Sequence, residues 1–156
     1  MNEPIIRAVG ILIKNNKVLL MWRKKDGQEY YVFPGGGKEN NETVEVAVVR
    51  EIKEETTIEA KIEKLLYTHK LIDSGDQFFY LCSYVSGKPE LGDFNEKQGQ
   101  NKNDQYKPMW IEISKLPKLL VYPLEIRDWL IEDFKDNFKN TPKEQTFRVA
   151  DLRQSL

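Results

Sequence analysis

Three glutamates, Glu51, Glu54 and Glu55, follow directly on Arg50, and three consecutive glycines, Gly35 to Gly37, precede the segment that carries them. From Thr43 to Thr56 the apolar residues Val44, Ala47, Val48 and Ile52 recur at helical spacing, with Asn41 or Thr43 placed to cap the start. At about 100° per residue, Val44, Ala47 and Val48 define the core-facing stripe of that helix. Glu51 and Glu55 continue the stripe in the following turns and Glu54 lies just beside it. An amphipathic helix ordinarily keeps its carboxylates on the face opposite the apolar one, so acids that continue the inward stripe call for a cation. Two like charges about 5 Å apart repel by roughly 3 kcal/mol at an effective dielectric of about 20, and Arg50, one turn before Glu54, offsets only part of this. Oxygen donors alone favour the hard ions Mg²⁺ or Mn²⁺ over Zn²⁺. The chain has one His and one Cys and so little nitrogen or sulfur to offer a softer metal. Mg²⁺ commonly bridges carboxylates to phosphates, which implies a phosphate-bearing ligand, and the glycines let backbone approach both closely. On amphipathicity alone, a solvated acidic helix after a glycine turn competes evenly with this reading.

The elements that must position these residues are legible on either side. Ile5 to Ile13 and Lys17 to Trp22 read as strands joined by the turn Lys14-Asn15-Asn16. Asp26-Gly27 marks a second turn, after which the aromatic run Tyr30 to Phe33 feeds a glycine loop. Ile58 to Ile72 and Gln77 to Val85 read as two further strands across Asp73 to Asp76. The polar stretch Gly87 to Lys107 reads as a long loop, Pro108 to Ile113 as a strand and Pro123 to Phe138 as a second helix. Residues 139–156 show no clear pattern and are expected to form a loose tail or a weak helix. The order predicts an α+β chain, an α/β/α sandwich with a mixed central sheet, with one domain over residues 1–140 and a tail over 141–156.

Composition limits the partners. The chain has 156 residues, 24 Lys plus Arg against 25 Asp plus Glu, and a formal net charge of −1. That balance argues against DNA or RNA coating, which needs a basic excess, and leaves room for a small anionic ligand. No apolar run reaches the length of a membrane span, and Met1 to Arg7 lacks the order of a signal peptide, so a cytoplasmic protein is expected. Cys82, in an apolar run, reads as a buried thiol rather than a nucleophile.

The spacing narrows the reading further. Gly36 to Ile58 reads GGKENNETVEVAVVREIKEETTI and resembles the Nudix box, G-x5-E-x7-R-E-U-x-E-E-x-G-U with U apolar. Gly36, Glu42, Arg50, Glu51, Ile52, Glu54, Glu55 and Ile58 match; Thr57 stands where the family has Gly, which puts the helix end in question and touches no proposed ligand. Tyr31 to Gly37 and Pro108 to Ile111 are similar to the strands that flank the box in the family.

The resemblance implies a Nudix fold and a Mg²⁺- or Mn²⁺-dependent hydrolase that cleaves a pyrophosphate bond in a nucleoside diphosphate derivative, a small-molecule nucleotide. It carries metal ligation to Glu51, Glu54 and Glu55, helped by the Gly35 carbonyl, with Arg50 orienting the glutamates and Glu42 bracing the loop. Glu51 or Glu54 is the first choice for general base. Glu96 is the alternative base or a further metal ligand, weighed equally against a solvated loop residue. His69 is a substrate contact or, with more weight, a structural histidine, and Tyr30, Tyr31, Phe33 and Phe79 are candidates to stack a base. The family's ADP-ribose marker, a Pro beyond the box, is absent, with Ser74, Gly75 and Asp76 in that stretch. A second class is a Nudix-fold sensor that binds nucleotide without turnover, against which the full set of box acids speaks. A third, an RNA-end pyrophosphohydrolase, would draw on Lys107, Lys115 and Lys118. Homodimers are common in the family; no segment here predicts one.

Overall fold

The computed structural model describes residues 5–72, 74–92 and 103–148. The chain opens with β1 (Arg7–Lys14) and β2 (Lys17–Lys25), joined by Asn15 and Asn16 at φ of 52° and 63°. Both residues are left-handed, the geometry of a two-residue turn whose twist matches its strands, and asparagine tolerates it. Asp26 and Gly27 repeat the device before β3 (Gln28–Val32). Gly35–Gly37 forms the short strand β4, and α1 (Val44–Thr56) follows. Thr43 caps α1, its hydroxyl accepting from the Val46 amide at 3.1 Å. Then come β5 (Glu59–Ile72), β6 (Gln77–Ser86), β7 (Asp104–Glu112), a 3₁₀ turn (Ile113–Lys118), β8 (Val121–Tyr122), α2 (Leu124–Phe134) and β9 (Lys143–Arg148).

The strands make one mixed sheet ordered β8-β3-β2-β1-β6-β5-β9, with β4 on β1 and β7 on β2. β1 runs parallel to β6, β3 to β8 and β5 to β9, and the remaining pairs are antiparallel. β1 and β2 pair only beside their hairpin, at Ile13 with Val18 and Lys14 with Lys17. Beyond it they part: β4 takes the edge of β1 opposite Arg7 to Val9, and β3 takes β2 from Met21 to Lys25. The sheet is therefore split at one end.

Alternation along the strands feeds two cores. Ala8, Leu12 and Leu19 pack with Ala47, Val48 and Ile52 of α1 on one face. Val9, Ile11, Val18 and Leu20 pack with Ile126 and Leu130 of α2 on the other. The period of two sends neighbouring residues to opposite faces, so one strand serves both helices. The layers are helix, sheet, helix, the expected α+β sandwich.

Four expectations are corrected. The three glycines form strand β4 rather than a free loop, because β1 offers an edge to pair with. Asp104 to Lys107, expected within the long loop, belongs to β7 and pairs with Trp22 to Lys25. The second helix ends at Phe134, and Asn137 and Phe138, both with positive φ, turn the chain where it was expected to continue. Lys143 to Arg148, expected in a loose tail or weak helix, is β9, so the sheet runs on past residue 140. Its polar composition suits an outer strand, which packs little and pairs by backbone.

Candidate active site

α1 starts from β4 and lies against β1, which brings the glycine strand and the acidic helix face together. Arg50 is the hub. Its Nε and Nη2 donate to the two Glu42 oxygens at 3.0 and 2.6 Å, its Nη1 to Glu51 at 3.0 Å and to Glu54 at 3.1 Å, and its Nη2 to the Gly37 carbonyl at 3.1 Å. Glu42 also accepts from the Glu39 amide at 2.8 Å, so it ties the loop before α1 to the helix, the bracing role expected of it. Gly35 N–H donates to Glu55 Oε1 at 3.0 Å. A Cβ on Gly36 would stand 2.6 Å from the Glu51 carboxylate, so only glycine leaves that carboxylate its place.

The electrostatics follow from this crowding. The Arg50 hydrogen bonds hold the Glu42 carboxyl down to about 2, and Glu42 in turn raises Arg50 further above its ordinary range. Burial pushes Glu51 up, against the pull of Arg50 and a hydrogen bond shared with Glu55. Glu54 is the most open of these acids, its side chain 45% exposed against 14% for Glu51. Thr57 ends the helix in the left-handed region at φ 64°, the conformation a glycine would take at less cost. Its hydroxyl donates to the Lys88 carbonyl at 2.8 Å, which offsets part of that strain.

The donor set fits a hard divalent cation. It consists of carboxylate oxygens, crowded on one helix face with a single guanidinium among them, beside a glycine cradle that a side chain would fill. As the side chains stand, no three acids, thiols or imidazoles among the described residues converge into a ready cage. Arg50 draws Glu51 and Glu54 to itself while Glu55 turns to the Gly35 amide.

The split in the sheet makes a cleft next to this cluster. One lobe, of about 360 Å³, is lined by Arg7, Met21, Arg23, Val32, Phe33, Gly35, Glu55 and Tyr106. The second, of about 350 Å³, shares Arg7, Val32 and Phe33 with the first and adds Val9, Gln77, Phe79, Tyr122 and Pro123. Glu55 thus faces the first lobe, and the second reaches toward the start of α2.

Of the aromatic candidates, Phe33 and Phe79 line the cleft, Tyr30 is buried against Tyr122, and Tyr31 packs on the α2-side core. His69 is buried with its ring edge-on to Phe79, and burial lowers it to about 4, the environment of a structural histidine. Cys82 is buried in the α1-side core, where burial pushes its thiol up to about 12. Lys107 lies on β7, whereas Lys115, paired with Glu112, and Lys118 sit on the 3₁₀ turn beyond that strand's end. Glu96 lies outside the described residues. Arg7, Arg23 and Tyr106 were not singled out from the sequence. A signal existed for Arg23: the two-residue turn at Asp26-Gly27 sets it opposite Tyr30.

The model of the NUDIX domain matches residues 4–131. An ADP-ribose pyrophosphatase of Methanocaldococcus jannaschii is 33% identical over 123 residues, 75% of this chain and 67% of that enzyme. An RNA pyrophosphohydrolase of Haemophilus influenzae is 44% identical over 62 residues, 40% of this chain; the match spans only 32% of that enzyme's length. Among solved structures, a NUDIX hydrolase from Nitrosomonas europaea has a TM-score of 0.69 at 19% identity, covering 96% of this chain and 80% of its own. A MutT protein from Bacillus halodurans has a TM-score of 0.62 at 21% identity, covering 96% and 93%. These structural likenesses speak to fold, and the family match together with the spacing of the acids around Arg50 speaks to lineage. The chain belongs to the Nudix hydrolase family, enzymes that act on pyrophosphate bonds.

Proposed function

We propose that the chain hydrolyses a pyrophosphate bond in a nucleoside diphosphate derivative, with Mg²⁺ or Mn²⁺ held by Glu51, Glu54 and Glu55 and the Gly35 carbonyl. The observation that carries this reading is the excess of carboxylates around Arg50 at the edge of a cleft large enough for a nucleotide. When bound, such an ion supplies charge neutralisation at the bridging phosphates and lowers the pKa of an attacking water. The chain's own residues do the rest. Arg50 keeps the glutamates on one face, Gly36 keeps the space in front of Glu51 clear, and Glu51 or Glu54 accepts the proton from the water. Phe33 and the aliphatic parts of Met21 and Val32 exclude solvent from the lobe into which Glu55 faces.

The relative named as an ADP-ribose pyrophosphatase supports a diphosphate joining two organic groups, although Ser74 to Asp76 stand where the family's marker for that substrate has Pro. The test is product release from ADP-ribose, nucleotide sugars, nucleoside triphosphates, dinucleoside polyphosphates, NADH and triphosphate-ended RNA, with Mg²⁺, with Mn²⁺ and with EDTA. EDTA-sensitive release from a diphosphate is the expected result. Nucleotide binding without release from any of these substrates would replace the hydrolase by a sensor.

A further inference from the structure

The last turn of α1 carries Glu54 and Glu55, and the carbonyls at such a helix end have no partners within the helix. Residues 87–92, which follow β6, run back along this turn and meet it at alternate residues. The Lys88 carbonyl accepts from the Thr57 hydroxyl at 2.8 Å, and the Glu90 amide donates to the Thr56 carbonyl at 3.0 Å. Gly92 is buried against the Glu54 carbonyl, where a Cβ would stand 1.7 Å from the oxygen, so only glycine fits without a shift of backbone. The Tyr84 hydroxyl pins the start of the segment by donating to the Gly87 carbonyl at 2.8 Å. The turn that bears two of the acids is thus held by this segment at its backbone, while β4 holds the Glu55 carboxylate through the Gly35 amide.

Of these contacts at the helix end, the one from Thr57 alone uses a helix-side side chain. Thr57 keeps φ at 64°, a costly conformation for a β-branched residue, where glycine would end the helix without the strain and without a hydroxyl. Strain retained beside a functional turn points to a use for the side chain that keeps it. Resting on the hydrolase reading above, we propose that Thr57 is a positioning residue: its hydroxyl, through the Lys88 carbonyl, clamps residues 87–92 on the last turn of α1 and so fixes the backbone from which Glu54 and Glu55 reach the cation. To gather on an ion, these carboxylates must leave Arg50 and the Gly35 amide. A backbone already fixed spares the cost of ordering it in the same step.

The experiment measures Mn²⁺ binding directly, by the electron paramagnetic resonance signal of the free ion, in wild type, Thr57→Gly, Thr57→Val and Thr57→Ser. Thr57→Gly removes the hydroxyl and the strain together, Thr57→Val removes the hydroxyl alone, and Thr57→Ser keeps it. Thr57→Gly and Thr57→Val should each raise the Kd for Mn²⁺ by about fivefold, the scale of one hydrogen bond, and Thr57→Ser should stay within about twofold of wild type. With Mn²⁺ saturating, KM for a nucleotide diphosphate sugar should be the same in all four. Circular dichroism checks the fold, and Thr57→Gly, relieved of strain, carries the test if Thr57→Val unfolds. An unchanged Kd in Thr57→Gly, or a Thr57→Ser as weak as Thr57→Gly, overturns the proposal and leaves the hydrolase reading standing. A wild type that binds no Mn²⁺ overturns the metal assignment and the proposal with it. Hydroxyl-dependent Mn²⁺ binding without turnover of any diphosphate removes the hydrolase reading and leaves Thr57 in its positioning role.

Discussion

Each face of the sheet carries a polar cluster, and the two are built to opposite rules. Under α2, Asp133 accepts from the Tyr67 hydroxyl at 2.8 Å and from Lys143 Nζ at 2.7 Å, and its side chain is 3% exposed. One carboxylate meets one ammonium and one neutral phenol, whose pKa is raised by burial and by Asp133, and the cluster is closed. Beside α1, Glu42, Glu51 and Glu54 share a single guanidinium, and Glu55 joins them at the mouth of a cleft. A network with a partner for its charge fastens helix to strand; an unbalanced, open one stores repulsion that the proposed cation would relieve. Charge balance and solvent access together distinguish the two, where the count of buried polar groups alone would not.

The sharpest way to break this contrast is to neutralise the open cluster. Glu54→Gln and Glu55→Gln should each lower turnover by several orders of magnitude with the fold intact, measured as kcat beside circular dichroism. Retained activity in both would remove the metal assignment. The next effect belongs to the closed side. His69 is buried neutral, so below its unfolded pKa of 6.5 the unfolded chain takes up a proton that the folded chain refuses. The His69 contribution should then be lost as pH drops from 6.5 toward 4, by roughly 3 kcal/mol at most, and below that the protonation of Glu42, which Arg50 holds down to about 2, continues the fall. Thermal melts across that range should show the loss in wild type and a flatter profile in His69→Gln.

Arg50→Ala tests whether the guanidinium is what keeps the open cluster folded. It should cost about 2 kcal/mol of stability, given its partial exposure, and Mg²⁺ should restore more of the melting temperature than it adds to wild type. Equal Mg²⁺ shifts in both proteins would contradict the picture of stored repulsion. The smallest effect is expected from Lys143→Met, about 1 kcal/mol, because water reaches the ammonium and can partly replace it. That variant should leave kcat unchanged, and a drop in kcat would join the two faces functionally.

The difference between the faces also explains what could be read in advance. The acidic face was legible because glutamates on an apolar stripe violate the ordinary pattern at a countable spacing. The cap, read as Asn41 or Thr43, and both two-residue turns were legible because their chemistry is local. β9 was not, since KEQTFR has no alternating apolar signal and becomes a strand only because β5 offers an edge. Asp104 to Lys107 was hidden for the same reason. The cleft was hidden too: Arg7, Arg23 and Tyr106 are far apart in the chain and meet only because β2 pairs with two strands where it leaves β1. Thr57 shows the converse, a mismatch visible in the sequence that the fold absorbs with one hydroxyl bond to Lys88.

The parallel pairings set an order in time. Arg7 finds its neighbour on β6 at Gln77, and Tyr67 finds its neighbour on β9 at Lys143. A chain emerging from the ribosome can close its first hairpin at once, yet it must carry the free edge of β1 until β6 arrives and that of β5 until β9 arrives. Such distant partners make for slow completion and leave strand edges open to other chains meanwhile. Assembly in the cell therefore ends where reading the sequence was weakest, with a polar strand near the end of the described chain covering the edge of β5 and becoming the outer strand in its place.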